Sequence, residues 1–192
     1  MSAFSVTHRR ILSLWLPRLP TDRIKRQLAR NGASANLQAS IVVAKQSNAL
    51  QIFALDDAAA KLGLEPGLPL ANARAVCPDI QVFDADPVAD TQVLTDIADW
   101  CDRFTPLVAL DLPHGLFLDI TGCAHLFGDE AALMEQLCAT LSRQGFIVSA
   151  AIAGTSTCAR TLSRYAHGRL IAAGAEAKAV TPLALFAIGA DE

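Results

Sequence analysis

The stretch 107–122, LVALDLPHGLFLDITG, constrains the fold more than any other in the chain. Residues 107–112 and 116–120 are rich in leucine, β-branched and aromatic side chains, and Pro113-His114-Gly115 separates them. Proline fixes φ and glycine permits a turn, so the pattern predicts two short strands joined as a hairpin. Asp111 and Asp119 interrupt the apolar residues at alternating positions, which leaves one buried face and one face that presents carboxylates or meets solvent.

Segments around the hairpin follow the same logic. Residues 10–16 form a short apolar run stopped by Pro17, read as a central strand. Thr21 is expected to cap a helix to about Asn31, with Ile24 and Leu28 one turn apart on its buried side and Gly32 closing it. Residues 40–45 and 50–55 read as a hairpin across Gln46-Ser47-Asn48. Asp56 caps a short helix ended by Gly63, and a second short helix runs from about Leu70 to before Pro78. Residues 80–83 suit a brief strand. Asp86-Pro87 is a strong helix start, and Val93, Ile97, Trp100/Cys101 and Phe104 recur at helical spacing. Leu133, Leu137 and Leu141 mark the buried face of a helix from Asp129 to Gln144. A strand over 146–153, a helix from Thr155 or Ser156 to about His167 and a last strand over 169–172 complete the pattern.

Without residues 20–85 the order is strand, helix, strand, strand, helix, strand. That is the α+β, ferredoxin-like βαββαβ arrangement, an antiparallel sheet with helices on one face. Residues 20–85 read as an inserted lobe of short helices and a hairpin. The expected division is 1–19 with 86–180 as one domain, 20–85 as the insertion and 181–192 as the beginning of something further.

Composition narrows the function classes. An apolar fraction of 52% over 192 residues excludes a disordered chain. No apolar run reaches the roughly 20 residues that span a bilayer, and the opening lacks a signal-peptide cleavage pattern, so a cytoplasmic location is expected. Five widely spaced cysteines suit buried thiols better than disulfides. Cys123 and His125 are the only close Cys/His pair and lack further ligands at zinc spacing. Residues 1–30 carry seven basic side chains against one acid, yet the net charge is −3. The basic end reads ordinarily as a solvated helix face, and the chain lacks the positive balance of an independent nucleic-acid binder.

Three places carry candidate chemistry. Where the first strand meets the hairpin turn, carboxylates from separate strands can hold magnesium for nucleotidyl transfer. Here the first strand offers Leu14-Trp15-Leu16-Pro17 and the turn offers Pro113-His114-Gly115, so no carboxylate stands at either place. Arg160 and Arg164, one helical turn apart, are candidates for DNA phosphate contacts or for a merely solubilising role. Gly154-Thr155-Ser156-Thr157 lacks the lysine and second glycine of a phosphate loop, which makes it a helix cap.

Phe117-Leu118-Asp119-Ile120-Thr121-Gly122, followed by His125-Leu126-Phe127-Gly128, resembles the palm signature of Y-family (DinB/UmuC-like) DNA polymerases. The run from Lys61 to Leu70, with Ala73 and Cys77-Pro78, is similar to the fingers of that family, and Ile152-Ala153 with Ala159-Arg160 to its later strand and helix. The resemblance implies a palm with an inserted fingers lobe, and it extends from about residue 10 to 168. It also implies that a metal-binding aspartate falls on Trp15, a second family position on Pro17, and the Asp-Glu pair on His114 and Gly115. The family's triphosphate-holding Tyr and Arg fall on Asp57 and Ala60, and its late Lys at or near Thr157. Asp119 matches a family aspartate taken as structural.

These departures, with the opening R-I-L-S-L-W-L-P at residues 10–17, resemble the ImuB-type group, which lacks polymerase activity. The resemblance implies a scaffold in translesion synthesis and mutagenesis of the DNA-damage (SOS) response, with no metal or cofactor. An error-prone replicative-type polymerase, the sliding clamp and a RecA-like companion are the implied partners. The resemblance also implies that DNA is held weakly, mainly through thumb and little-finger domains that follow the palm in the family, and that the protein is nucleoid-associated. The alternative expectation is an active nucleotidyltransferase whose metal ligands are displaced to Asp111, Asp119 and Asp22. A third is a protein-interaction module unrelated to DNA.

Overall fold

The computed structural model describes residues 8–32, 38–46, 48–166 and 168–183. In chain order the elements are β1 (Ile11–Trp15), α1 (Leu19–Arg30), β2 (Ser40–Gln46), β3 (Ala49–Leu55), α2 (Asp57–Lys61), α3 (Leu70–Val76), β4 (Gln81–Asp84), α4 (Pro87–Cys101), β5 (Val108–Asp111), β6 (Gly115–Asp119), α5 (Glu130–Arg143), β7 (Ser149–Ala153), α6 (Ser156–Tyr165), β8 (Arg169–Leu170) and α7 (Glu176–Val180). They form two compact units, one of residues 1–17, 94–144 and 148–192, the other of 18–93 and 145–147.

In the first unit a five-stranded sheet has the order β5-β6-β1-β7-β8. Its first four strands pair antiparallel, with Trp15 opposite Gly115 on one side and Ser149 on the other. This is the ferredoxin-like order expected from the sequence, to which α6 and β8 add a parallel edge. Alternation along β1 sends Ile11 and Ser13 to one face and Leu12 and Leu14 to the other. Leu12, Leu14, Leu116 and Leu118 are fully buried, as are Leu133, Leu137 and Leu141 of α5. On the opposite face Ile11, Ala151 and Ala153 pack with Cys158, Ala159 and Leu162 of α6. The expectation of helices on one face only is therefore corrected. Small alanines on β7 leave room for α6 to lie close against the second face. There Ser13 and Ser163 share a buried hydrogen bond of 3.0 Å, and the Ser149 hydroxyl donates to the Ser163 carbonyl at 2.6 Å.

The second unit holds a three-stranded sheet, β3-β2-β4, with β2 antiparallel to β3 and parallel to β4. One apolar cluster joins Ile41, Val43, Ile52 and Leu55 to Ala59, Leu64 and Ala73, and a smaller one places Ile24 of α1 with Val42 and Ala54. Buried Asp56 ties the unit together. Its carboxylate accepts from the Ala59 amide at 2.7 Å as the α2 cap, from Ser40 Oγ at 2.7 Å and from Lys25 Nζ at 2.7 Å.

Several boundaries differ from expectation for local reasons. Proline is tolerated in a helix's first turn, so α1 begins at Leu19 with Arg18 as its cap residue. Thr21 is not the cap: its hydroxyl lies inside the first turn and donates to the Arg18 carbonyl at 3.0 Å. Helix α4 ends at Cys101, and Phe104 lies beyond it, its ring 5.3 Å from Trp100 and 5.1 Å from Phe127. Leu28 is 36% exposed, not buried. Ser47, His167 and residues 184–192 lie outside the described residues.

Candidate functional site

The end of β1 and the β5–β6 turn meet through backbone: the Leu16 amide donates to the His114 carbonyl at 2.9 Å. That bond and the β1–β6 register set the Trp15 and His114 rings side by side, with centroids 5.7 Å apart and planes tilted by 44°. Trp15 and His114 are half-buried, and so is Pro17.

Helix α6 supplies the rest of the site. Its Arg164 places a guanidinium carbon 4.2 Å from the centre of the Trp15 indole, within the range of a cation–π contact. Arg164 Nη2 lies 3.5 Å from Asp111 Oδ2, and Arg160 Nε donates to the same oxygen at 3.1 Å. The Arg164 side chain is 11% exposed and that of Arg160 36% exposed. Both arginines are thus engaged by one carboxylate on the sheet.

Gly115 follows from that carboxylate. It stands opposite Asp111 as the first residue of β6, so the turn lies in the residues before it. A Cβ at Gly115 would lie 3.0 Å from the Asp111 carbonyl oxygen and 3.1 Å from its Oδ2. Close approach to Asp111 therefore favours glycine here, where the sequence suggested turn flexibility. The charges of Arg160, Arg164 and Asp111 sum to an excess of one positive charge, which opposes the entry of a divalent cation.

The other carboxylates are committed elsewhere. Asp119, at the far end of β6 from Gly115, accepts from Thr121 Oγ1 at 2.6 Å, the Thr121 amide at 3.1 Å and Arg9 Nε at 3.0 Å. Burial works against its charge, but these donors outweigh it and hold the carboxyl below its ordinary value. Asp111 and Asp119 are thus not brought together. Asp22 belongs to the second unit, where its Oδ2 accepts from the Ile147 amide at 2.8 Å. Burial pushes its carboxyl up to about 6, against the lowering effect of that amide. Among the described residues no group of three or more His, Cys, Asp or Glu side chains is gathered to hold a metal ion.

The expected triphosphate positions also have local occupations. Asp57 of α2 pairs with Arg18 at 3.2 Å, and Arg18 also donates to the Leu55 carbonyl at 2.8 Å. Ala60 is half-buried and Thr157 exposed. Glu176 Oε1 accepts from the Gly154 amide at 3.1 Å, so a carboxylate of this chain lies beside the loop that leads into α6. Sequence reasoning missed the Arg164–Trp15 stack, although the spacing of Arg160 and Arg164 placed both on one helix face.

The IMS family model, described as impB/mucB/samB, matches residues 33–164. Protein ImuB of Caulobacter vibrioides is 44% identical over 131 residues, which is 67% of this chain and 29% of that protein. DNA polymerase IV of Alkaliphilus oremlandii is 24% identical over 105 residues, 55% of this chain and 26% of that one. This chain therefore spans less than a third of the curated relatives it matches. Among solved structures, an insertion ternary complex of Dbh DNA polymerase superimposes with a TM-score of 0.71 at 12% identity, over 85% of this chain and 48% of that one. DinB from Sulfolobus solfataricus gives 0.69 at 13% identity, over 89% and 50%. These two share the palm and fingers fold described above. With more than half of its residues matched by one family model, the chain belongs to the impB/mucB/samB family of Y-family, polymerase-like proteins.

Proposed function

We propose that this chain is the palm and fingers portion of a non-catalytic Y-family relative, and that it acts as a scaffold in DNA-damage-induced translesion synthesis. One observation carries the reading: a guanidinium, stacked on Trp15 and tied to Asp111, fills the meeting point of β1 and the hairpin. Two-metal transfer needs carboxylates there to gather cations between the attacking and leaving oxygens. Trp15, Pro17, His114 and Gly115 supply none, and the nearest carboxylate already serves two arginines. Asp57, Ala60 and Thr157 offer no cation to a triphosphate.

The 44% identity to a Protein ImuB supports the same reading. The implied partners are an error-prone replicative-type polymerase, the sliding clamp and a RecA-like companion, at the nucleoid in the cytoplasm. Among the described residues no helix is long and apolar enough to cross a membrane. DNA contact by Arg160 and Arg164 is a minor part of the proposal, because both are held by Asp111; Arg160, the more exposed, is the better placed.

Manganese-induced NMR line broadening, measured with and without a nucleoside triphosphate, tests the metal half of the reading. The expected result is no localised broadening around Trp15, His114 and Asp111. Localised broadening there, or templated incorporation in a primer-extension assay, would favour the alternative of an active nucleotidyltransferase. Co-precipitation of a replicative-type polymerase with the protein tests the scaffold half.

A further inference from the structure

The second unit contains a groove of 480 Å³ between α1 and the end of β4. Ile24, Leu28 and Phe83 give it an apolar lining, and Arg23, Asp84 and Asp86 supply its charge. The volume falls within the range of sites that hold small ligands or anchor side chains. The residual exposure of Leu28, which the helical pattern placed in the core, is exposure in this groove.

Its electrostatics select among occupants. Arg23 is spent on Asp90 at 2.6 Å, and both side chains are largely buried. Asp84 and Asp86 are both exposed and set the sign of the rim. Asp86 Oδ1 caps α4 by accepting from the Ala89 amide at 3.0 Å. The second oxygen of buried Asp90 has no hydrogen-bond partner. Asp90 does not line the groove, so this oxygen takes no part in the charge of the rim. An acidic rim repels nucleic-acid phosphates. A second copy docked about a two-fold axis would set Asp84 and Asp86 against the same acids.

The geometry points to a docking site for a short partner segment that carries one or two large apolar side chains beside lysine or arginine. The apolar residues fill the space along Ile24, Leu28 and Phe83, while the cations meet Asp84 and Asp86. This assignment does not rest on the loss of catalysis, so either reading can fail alone.

The test titrates the isotope-labelled chain with two capped pentapeptides, KLRFK and its charge-reversed counterpart ELEFE, and follows backbone amide shifts. The expected result is saturable movement at Leu28, Phe83 and Asp84 with KLRFK at or below about 1 mM, and none with ELEFE. Replacing both rim acids, Asp84→Asn with Asp86→Asn, preserves the cap acceptor and is expected to weaken binding about tenfold. Leu28→Ala is expected to weaken it as well, with the melting temperature checked for each variant. Equal binding of both peptides, movement confined to other residues, or concentration-dependent shifts of these amides without peptide would each overturn the proposal.

Discussion

Arg164 holds its guanidinium 4.2 Å from the centre of the Trp15 ring while its Nη2 reaches toward Asp111, so one side chain of α6 bridges two strands of the palm sheet. Arginine suits this task because its planar fork stacks and pairs at once. The contact lies mostly out of water, where cation–π attraction reaches about 2 kcal/mol.

Arg164→Leu is therefore expected to lower stability by roughly 2–3 kcal/mol, since it removes the stack and leaves Asp111 with Arg160 alone. Arg164→Lys is expected to recover less than half of that loss. Chemical denaturation of the two variants, with Trp15 emission followed beside that of Trp100, measures both effects. A loss below about 0.5 kcal/mol in Arg164→Leu would mean that the stack contributes nothing beyond a surface contact.

Gly115 gives a sharper geometric prediction. An added Cβ meets Asp111 backbone and side chain at 3.0 to 3.2 Å, and the backbone atom cannot swing away. Gly115→Ala is expected to cost roughly 1–3 kcal/mol by overpacking and to loosen Arg160. Gly115→Ala combined with Asp111→Ala keeps the clash with the carbonyl but removes that with the carboxylate. If the second change recovers nothing, the contacts with the Asp111 carbonyl and Cβ, which alanine retains, carry the cost.

Asp56→Ala removes a cap and leaves Lys25 and Ser40 without their acceptor. The expected loss is roughly 2–4 kcal/mol, less than for a fully buried pair because Lys25 is 46% exposed and can return to water. Burial opposes the Asp56 charge, but Lys25, Ala59 and Ser40 prevail and hold its carboxyl below the ordinary value. A carboxyl lowered on folding contributes stability above its unfolded pKa and loses it as pH falls through the folded one. The difference in stability between the native chain and Asp56→Ala should therefore shrink on acidification.

The sequence made most of this fold legible, because period-two leucines and capped helices are local signals. Asp56 and Asp86 cap helices through their side chains, as their positions before helical runs predicted; Thr155 caps α6 where the sequence left Thr155 or Ser156 open, and Asp129, expected as the first residue of α5, is its cap. What failed were features set by distant packing. Nothing near Thr21 announces that helix α1 begins two residues earlier, nor does the alternation in β7 state that α6 covers its alanines. At the site, the absence of carboxylates at Trp15 and His114 could be read directly. The filling of that place by Arg164 could not, because it depends on the angle at which α6 crosses β1 and β7.

Asp22 reverses the pH logic of Asp56 and offers the clearest separation of the two. Burial raises its carboxyl to about 6 from an ordinary value of 3.8. The folded chain therefore binds that proton more tightly than the unfolded one. Its contribution is full below the unfolded value, and it is lost as pH rises through the folded value, between roughly pH 4 and 6. A carboxyl raised this far corresponds to roughly 3 kcal/mol, an upper bound here because part of the desolvation relaxes. Asp22→Asn keeps an oxygen to accept the Ile147 amide but carries no charge. The variant is expected to be more stable than the native chain by roughly 1–3 kcal/mol at pH 7 and to match it near pH 4. Thermal melts of both chains across that interval test the claim, and a variant less stable at pH 7 would mean that the Asp22 charge is held by its neighbours rather than tolerated at a cost.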